Sequence, residues 1–239
     1  MGFGFFDPLY FIFIGPCLLL SMWASFKVKS SFKKWAGYRN SGGLTGAQVA
    51  RMLLDREGLH NVKVEHVRGS LADHYDPTSK TLRLSDDTYA SNSIAAAGVA
   101  AHEAGHAVQH KVKYPLLGFR SAIVPLAGFG SNLSWILIMI GSGMMIFMQG
   151  GLGYYVTWAG VILFSAVVLF QLVTVPVELD ASNRAKKVLP EIGMDSPQEQ
   201  KAVSQVLNAA AWTYVAAAAT SIATLLYFLV RLGLFSSDD

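Results

Sequence analysis

Residues 100–111 read AAHEAGHAVQHK, with His102 and His106 four positions apart and Glu103 directly after the first. On a helix, residues four apart share a face and lie about 6 Å apart along the axis, so two imidazoles can converge on one metal ion. A catalytic zinc usually takes three protein ligands and keeps its fourth position for water. Glu103 is turned about 100° from His102, beside such an ion and not on it. There a carboxylate can take a proton from the water and return it. Gly105 leaves the helix slim beside this face. Histidines on an alanine-rich helix also occur as plain packing residues. The HExxH spacing, on a predicted helix in a polar part of the chain, favours the metal.

The third ligand has to come from elsewhere. His110 continues the same stripe, but about 1.5 Å of rise per residue puts it roughly 12 Å from His102 along a straight helix. His60, His66 and His74 fall in strand or turn settings, where a solvated group is the simpler reading. Glu178, in TVPVELDASNRAKK, is the better candidate. It lies just past an apolar stretch, where a carboxylate could also mark a lipid–water boundary. Ser182 follows one helical turn later on the same face, and Pro176 could bend the helix and swing that face toward the histidines.

These groups sit in an apolar chain. Of 239 residues, 52% are hydrophobic and 15% charged, with a mean hydropathy of +0.38. Four stretches, about 9–26, 122–148, 152–176 and 209–235, reach the roughly 20 apolar residues a bilayer core demands. The first lacks a basic leader and a small-residue cleavage site, so it reads as a retained anchor. Cys17 inside it is the only cysteine and reads as a packing residue. Of 19 Lys and Arg, 14 fall between Lys27 and Arg120 and four more between Arg184 and Lys201. Cytoplasmic loops collect such residues, so both polar segments belong inside and both chain ends outside. The +3 net charge then needs only an anionic inner leaflet, not nucleic acid, as its partner. The expected organisation is an anchor at 1–26, an α/β segment carrying HExxH at 27–121 and a transmembrane hairpin at 122–176. A second cytoplasmic segment with the third ligand follows at 177–208, then a last span and tail at 209–239.

The polar segments contain the elements that must position the site. Thr45 with Gln48 predicts a capping box opening a helix that stops near Gly58. Residues 62–66 and 82–84 alternate as strands, and the turn formers between them suggest a hairpin or a three-stranded meander. The HExxH helix should start at Asn92 or Ser93 and reach about Lys111; the stretch from Asp86 to Thr88 could add a turn earlier. Ser196, Pro197 and Glu199 form an N-cap, first-turn proline and capping carboxylate for a helix that could run into the last span. The fold class is a mainly α membrane protein: four transmembrane helices with a small cytoplasmic α/β unit.

AHEAGHAVQH, the HYDP hairpin, PVELDAS and LNAAAWTYVAA together resemble the membrane-bound neutral zinc metallopeptidases of bacteria, the YugP-like family, over about residues 8–235. More distantly the chain is similar to HtpX heat-shock proteases and CAAX prenyl proteases, gluzincins whose third-ligand motif reads E-x-x-A-D. The resemblance implies one zinc per chain on His102, His106 and Glu178, with Glu103 as general base, in the bacterial inner membrane. Serine at 182 replaces the aspartate that would orient a histidine in those distant relatives, and Asp180 stands two residues earlier. Asp180 or a backbone carbonyl could take that part. The expected reaction is hydrolysis of peptide bonds in a membrane-associated protein substrate. That substrate would add in extended form near residues 71–75 or 80–84. His74, Tyr75 or Arg184 could donate to the tetrahedral intermediate. A homo-oligomer or a regulatory membrane partner is compatible with the chain. The competing reading is a non-proteolytic zinc-binding or scaffold protein of the membrane.

Overall fold

The computed structural model describes residues 7–148 and 151–233. The chain is mainly helical: α1 (Pro8–Ala36), α2 (Gly46–Arg56), β1 (Lys63–His66), β2 (His74–Asp76), β3 (Thr81–Leu84), α3 (Ile94–Lys111), α4 (Pro115–Phe147), α5 (Leu152–Val188) and α6 (Pro197–Arg231), with one 3₁₀ turn (Pro190–Ile192) before α6. Helices α1, α4, α5 and α6 are long and apolar enough to cross a membrane. The predicted end of the fourth span at 235, and the centre of the turn at 149–150, lie outside the described residues.

The chain divides into two compact units. One comprises Met1–Trp23, Phe119–Val175 and Tyr214–Asp239, so far as these are described; the other comprises Ala24–Gly118 and Pro176–Thr213. In the first, α4 and α5 approach through glycine. A Cβ on Gly160 would stand 2.8 Å from the Ser134 carbonyl oxygen, and one on Gly141 would stand 2.5 Å from the Thr157 nitrogen. Small residues of this kind let apolar helices pack where lipid supplies no hydrophobic drive. Phe11, Ile12, Leu19, Phe129 and Ile162 point outward and exposed, as a lipid-facing surface would require. Asp7 accepts hydrogen bonds from the Tyr227 hydroxyl and pairs with Arg231, so its charge is compensated.

The second unit holds the polar half of the molecule. The capping box of α2 forms, Thr45 accepting from the Gln48 backbone and the Gln48 side chain accepting from the Thr45 backbone. Ser93 caps α3 through the Ala96 nitrogen, and residues 86–90 form turns and bends without adding helix. Ser196 and Glu199 open α6, which then runs unbroken to Arg231. Val49, Leu53 and Leu54 of α2, Leu82 and Leu84 of β3, Ala185 of α5 and Leu189 just after it bury against the alanine-lined flank of α3. Alanine at 95, 97, 100, 101, 104 and 107 leaves room for neighbours on several sides of that helix.

The sheet corrects one expectation. Its order is β1-β3-β2, with β1 parallel to β3 and β2 antiparallel to β3, so it is a hairpin with a parallel strand added, not a meander. The hairpin closes locally: Asp76 accepts from the Thr78 and Ser79 backbones, and Lys80 takes φ 49°. These contacts hold the Asp76 carboxyl down at about 2, its side-chain bond to Ser79 being the largest influence. The loop after β1 carries the chain past β3, which leaves β3 central and makes residues 81–84 no edge for an added strand. Strand β2 is an edge.

Candidate metal centre

Two elements of the second unit build the site. Helix α3 presents His102 and His106 one turn apart, their ring centroids 4.8 Å apart and nearly perpendicular. Helix α5 runs through Pro176 without interruption, so the residues beyond the apolar stretch continue as helix and bring Glu178 onto both rings. Glu178 Oε2 lies 3.1 Å from His102 Nε2 and 3.5 Å from His106 Nε2. One ligand atom from each of the three residues lies within 4.8 Å of the others. Glu178 and His106 are buried, and His102 is partly so.

The donor set fits zinc. In a tetrahedral shell with bonds of about 2.0–2.1 Å, neighbouring ligand atoms stand about 3.3 Å apart. The two separations from Glu178 bracket that value, and the histidine nitrogens lie within 4.8 Å of each other. Two imidazoles and a carboxylate are also the donors that a borderline-soft divalent ion takes in catalytic sites.

The nitrogens that face away from Glu178 are held as well. His102 Nδ1 lies 3.1 Å from Ser182 Oγ. His106 Nδ1 lies 2.9 Å from Gln109 Oε1. The Gln109 amide donates to the Val177 carbonyl at 2.9 Å and to Asp180 Oδ2 at 2.8 Å. Arg184 Nε in turn donates to the same Asp180 oxygen at 2.6 Å. Serine at 182 therefore takes the place expected of Asp180 or a carbonyl at His102, while Asp180 reaches His106 only through Gln109.

Glu103 is buried and accepts no hydrogen bond from another described residue. Burial pushes its carboxyl up from the usual range; the nearby His102 and His106 oppose that, and Glu178 and Asp73 reinforce it. For His106, burial favours the neutral ring, but its contacts with Glu178, Glu103 and Gln109 leave it raised above the ordinary histidine value.

The chain belongs to the neutral zinc metallopeptidase family. The family described as "Putative neutral zinc metallopeptidase" matches residues 10–233. The chain is also 46% identical over 223 residues to "Putative membrane protease YugP" of Bacillus subtilis (strain 168), covering 93% of this chain and 96% of the relative. No solved structure matches.

Within this family member, the other residues singled out in the sequence lie as follows. His110 forms a hydrogen bond through Nδ1 with the Tyr75 hydroxyl at 2.9 Å and is not one of the three converging residues. Burial, and then the Asp76 charge, raise the Tyr75 hydroxyl above its ordinary value. His74 is exposed, with Nδ1 against the Ala72 carbonyl and Nε2 3.5 Å from Arg83. Arg184 is committed to Asp180 through Nε.

Two participants escaped the sequence reading. Gln109 had a signal: it is the polar residue three positions after His106, on the same helical face. Asp73 had none, because it is brought near Glu103 by the turn before β2 and held there by Ser85.

Proposed function

We propose that this chain is a membrane-embedded zinc-dependent endopeptidase of gluzincin-like chemistry, acting on membrane or membrane-associated proteins. The observation that carries the reading is the convergence of His102, His106 and Glu178 from two helices, with the buried Glu103 on the turn between the histidines. The three would hold one zinc per chain. When bound, zinc lowers the pKa of water and polarises the scissile carbonyl.

The chain's own groups do the rest. Glu103 takes the proton of the attacking water and returns it to the leaving amine. Burial that raises this carboxyl makes it the stronger base for taking that proton. Ser182 and Gln109 hydrogen-bond the far nitrogens of His102 and His106. His74, Tyr75 or Arg184 would donate to the intermediate's oxygen. An extended substrate segment would lie along edge strand β2, near residues 71–75, by main-chain hydrogen bonds. The basic residues of 27–121 and 177–208 support a cytoplasmic site in the inner membrane, with 1–26, 122–176 and 209–239 as the membrane parts. The membrane protease named among its relatives supports a membrane setting.

The test is hydrolysis of a model membrane protein by the purified chain in detergent with zinc, beside Glu103→Gln. Cleavage by the wild type that the variant lacks supports the peptidase. Zinc binding by both with cleavage by neither supports the non-proteolytic zinc-binding reading instead.

A further inference from the structure

We propose that Gln109 is a positioning residue that sets the tautomer and ring orientation of His106 through a fixed chain Arg184–Asp180–Gln109–His106. The inference rests on the zinc-ligand reading of His106.

The argument is one of hydrogen-bond supply. A primary amide has two N–H donors and one carbonyl acceptor. In Gln109 both donors meet groups that can only accept: the Val177 carbonyl oxygen at 2.9 Å and an ion-paired Asp180 oxygen at 2.8 Å. Flipping the amide would put its oxygen against those two acceptors and its nitrogen against His106, losing two bonds in a fully buried place. The amide is thus locked with Oε1 toward His106 Nδ1. An oxygen there can only accept, so Nδ1 must carry the proton, and in the neutral ring Nε2 keeps its lone pair. Nε2 is the atom that faces Glu178.

The remaining links hold the amide still. Val177 and Asp180 lie on α5 on either side of Glu178, so the helix that brings the third ligand also orients one of the first two. Arg184, one turn beyond Asp180, anchors the carboxylate at 2.6 Å. Gln109 and His106 are buried while Asp180 and Arg184 are partly exposed, and a hydrogen-bonded chain of this kind favours one arrangement. His102 lacks such a lock, since the Ser182 hydroxyl can turn to donate or accept.

The test measures zinc affinity by chelator competition, with thermal unfolding as a separate readout, on the full chain in detergent. Gln109→Met keeps the volume and removes both donors and the acceptor. It should weaken zinc binding about 10- to 100-fold, the usual cost of removing the group behind a metal-binding histidine. Gln109→Glu alone restores an acceptor for His106 but sets a second oxygen against Asp180 and Val177, and should also weaken binding. Adding Asp180→Asn returns a donor to that position, so the Gln109→Glu/Asp180→Asn pair should bind zinc more tightly than Gln109→Glu alone. A general packing role would show no such rescue.

Wild-type affinity in Gln109→Met would overturn the inference. So would a double variant no better than Gln109→Glu, which decides the matter even if Gln109→Met does not fold. Failure of the zinc reading itself looks different: the wild type and His106→Ala would then bind zinc equally.

Discussion

Gly105 of α3 and Ala181 of α5 pack backbone to backbone: a Cβ on Gly105 would stand 2.8 Å from the Ala181 carbonyl oxygen and 3.3 Å from its Cα. Gly105 precedes His106, and Ala181 lies three residues after Glu178. The absent side chain therefore fixes how near Glu178 comes to His102 and His106. The obstacle is backbone, which cannot rotate away as a side-chain tip would. Gly105→Ala should cost about 1–3 kcal/mol of stability, as overpacking does. It should also weaken zinc binding by moving Glu178 off the histidines. Thermal unfolding and chelator competition check the two effects, and an unchanged zinc affinity would mean that the contact does not set ligand spacing.

That contact shows where sequence reading reaches its limit. His102, Glu103 and His106 are neighbours on one helix, so helical spacing alone displays them. Glu178 is 72 residues after His106, and its candidacy rested on its place after an apolar stretch and on the serine one turn later. The slimness of Gly105 was legible, but not what passes beside it. The sheet order was not legible either. Short alternating strands pair equally well as a meander or with β1 parallel to β3, and the choice depends on the path of the loop after β1. The caps at Thr45 and Ser196 were legible, because a cap is settled by residues within one turn, whereas the start of α3 was left between Asn92 and Ser93.

Glu103→Gln separates chemistry from structure. An amide cannot accept the water's proton, so hydrolysis should fall by at least about 10²- to 10⁴-fold, the usual contribution of a general base. The same change removes a buried carboxyl whose ionisation burial already opposes. The variant should therefore be no less stable than the wild type and should retain its zinc. Undiminished turnover in a preparation shown to be homogeneous would remove Glu103 from the reaction.

Glu178→Ala and His110→Ala should differ sharply. Losing Glu178 leaves two imidazoles for a zinc that needs three protein ligands, so metal stoichiometry at low zinc should fall well below one. Losing His110 breaks only its bond to the Tyr75 hydroxyl and should leave stoichiometry near one. Metal analysis after dialysis gives both answers. The reverse pattern would place the third ligand on α3 and reject the assignment.

Acid should strip the metal earlier than histidine alone would predict. A raised His106 value means that its proton competes with zinc at higher pH than on an ordinary imidazole of about 6.5. Below that raised value, apparent zinc affinity should drop about tenfold per pH unit for the one proton displaced. Above it, the affinity should be flat with respect to this group. Chelator competition between pH 5 and 9 traces the break. A break at or below the ordinary histidine value would show that Glu178 and Glu103 do not favour the protonated ring.

The topology can be tested with the chain's single thiol removed. Replacing Cys17 by serine gives a background free of cysteine, and one new cysteine can then be placed at Lys113 or at Leu152, both exposed. Lys113 stands before α4 among the basic residues, and Leu152 opens α5 after α4 has run 33 residues, about 50 Å at 1.5 Å each. That length exceeds the roughly 30 Å hydrocarbon core, so the two positions should lie on opposite sides. A membrane-impermeant thiol reagent added to intact cells should label position 152 and spare position 113 until the membrane is opened. An even number of crossings between Lys113 and Glu178 would then return the third ligand to the face of the histidines. Labelling of both positions from outside would remove α4 as a crossing and take with it the expected cytoplasmic placement of the site.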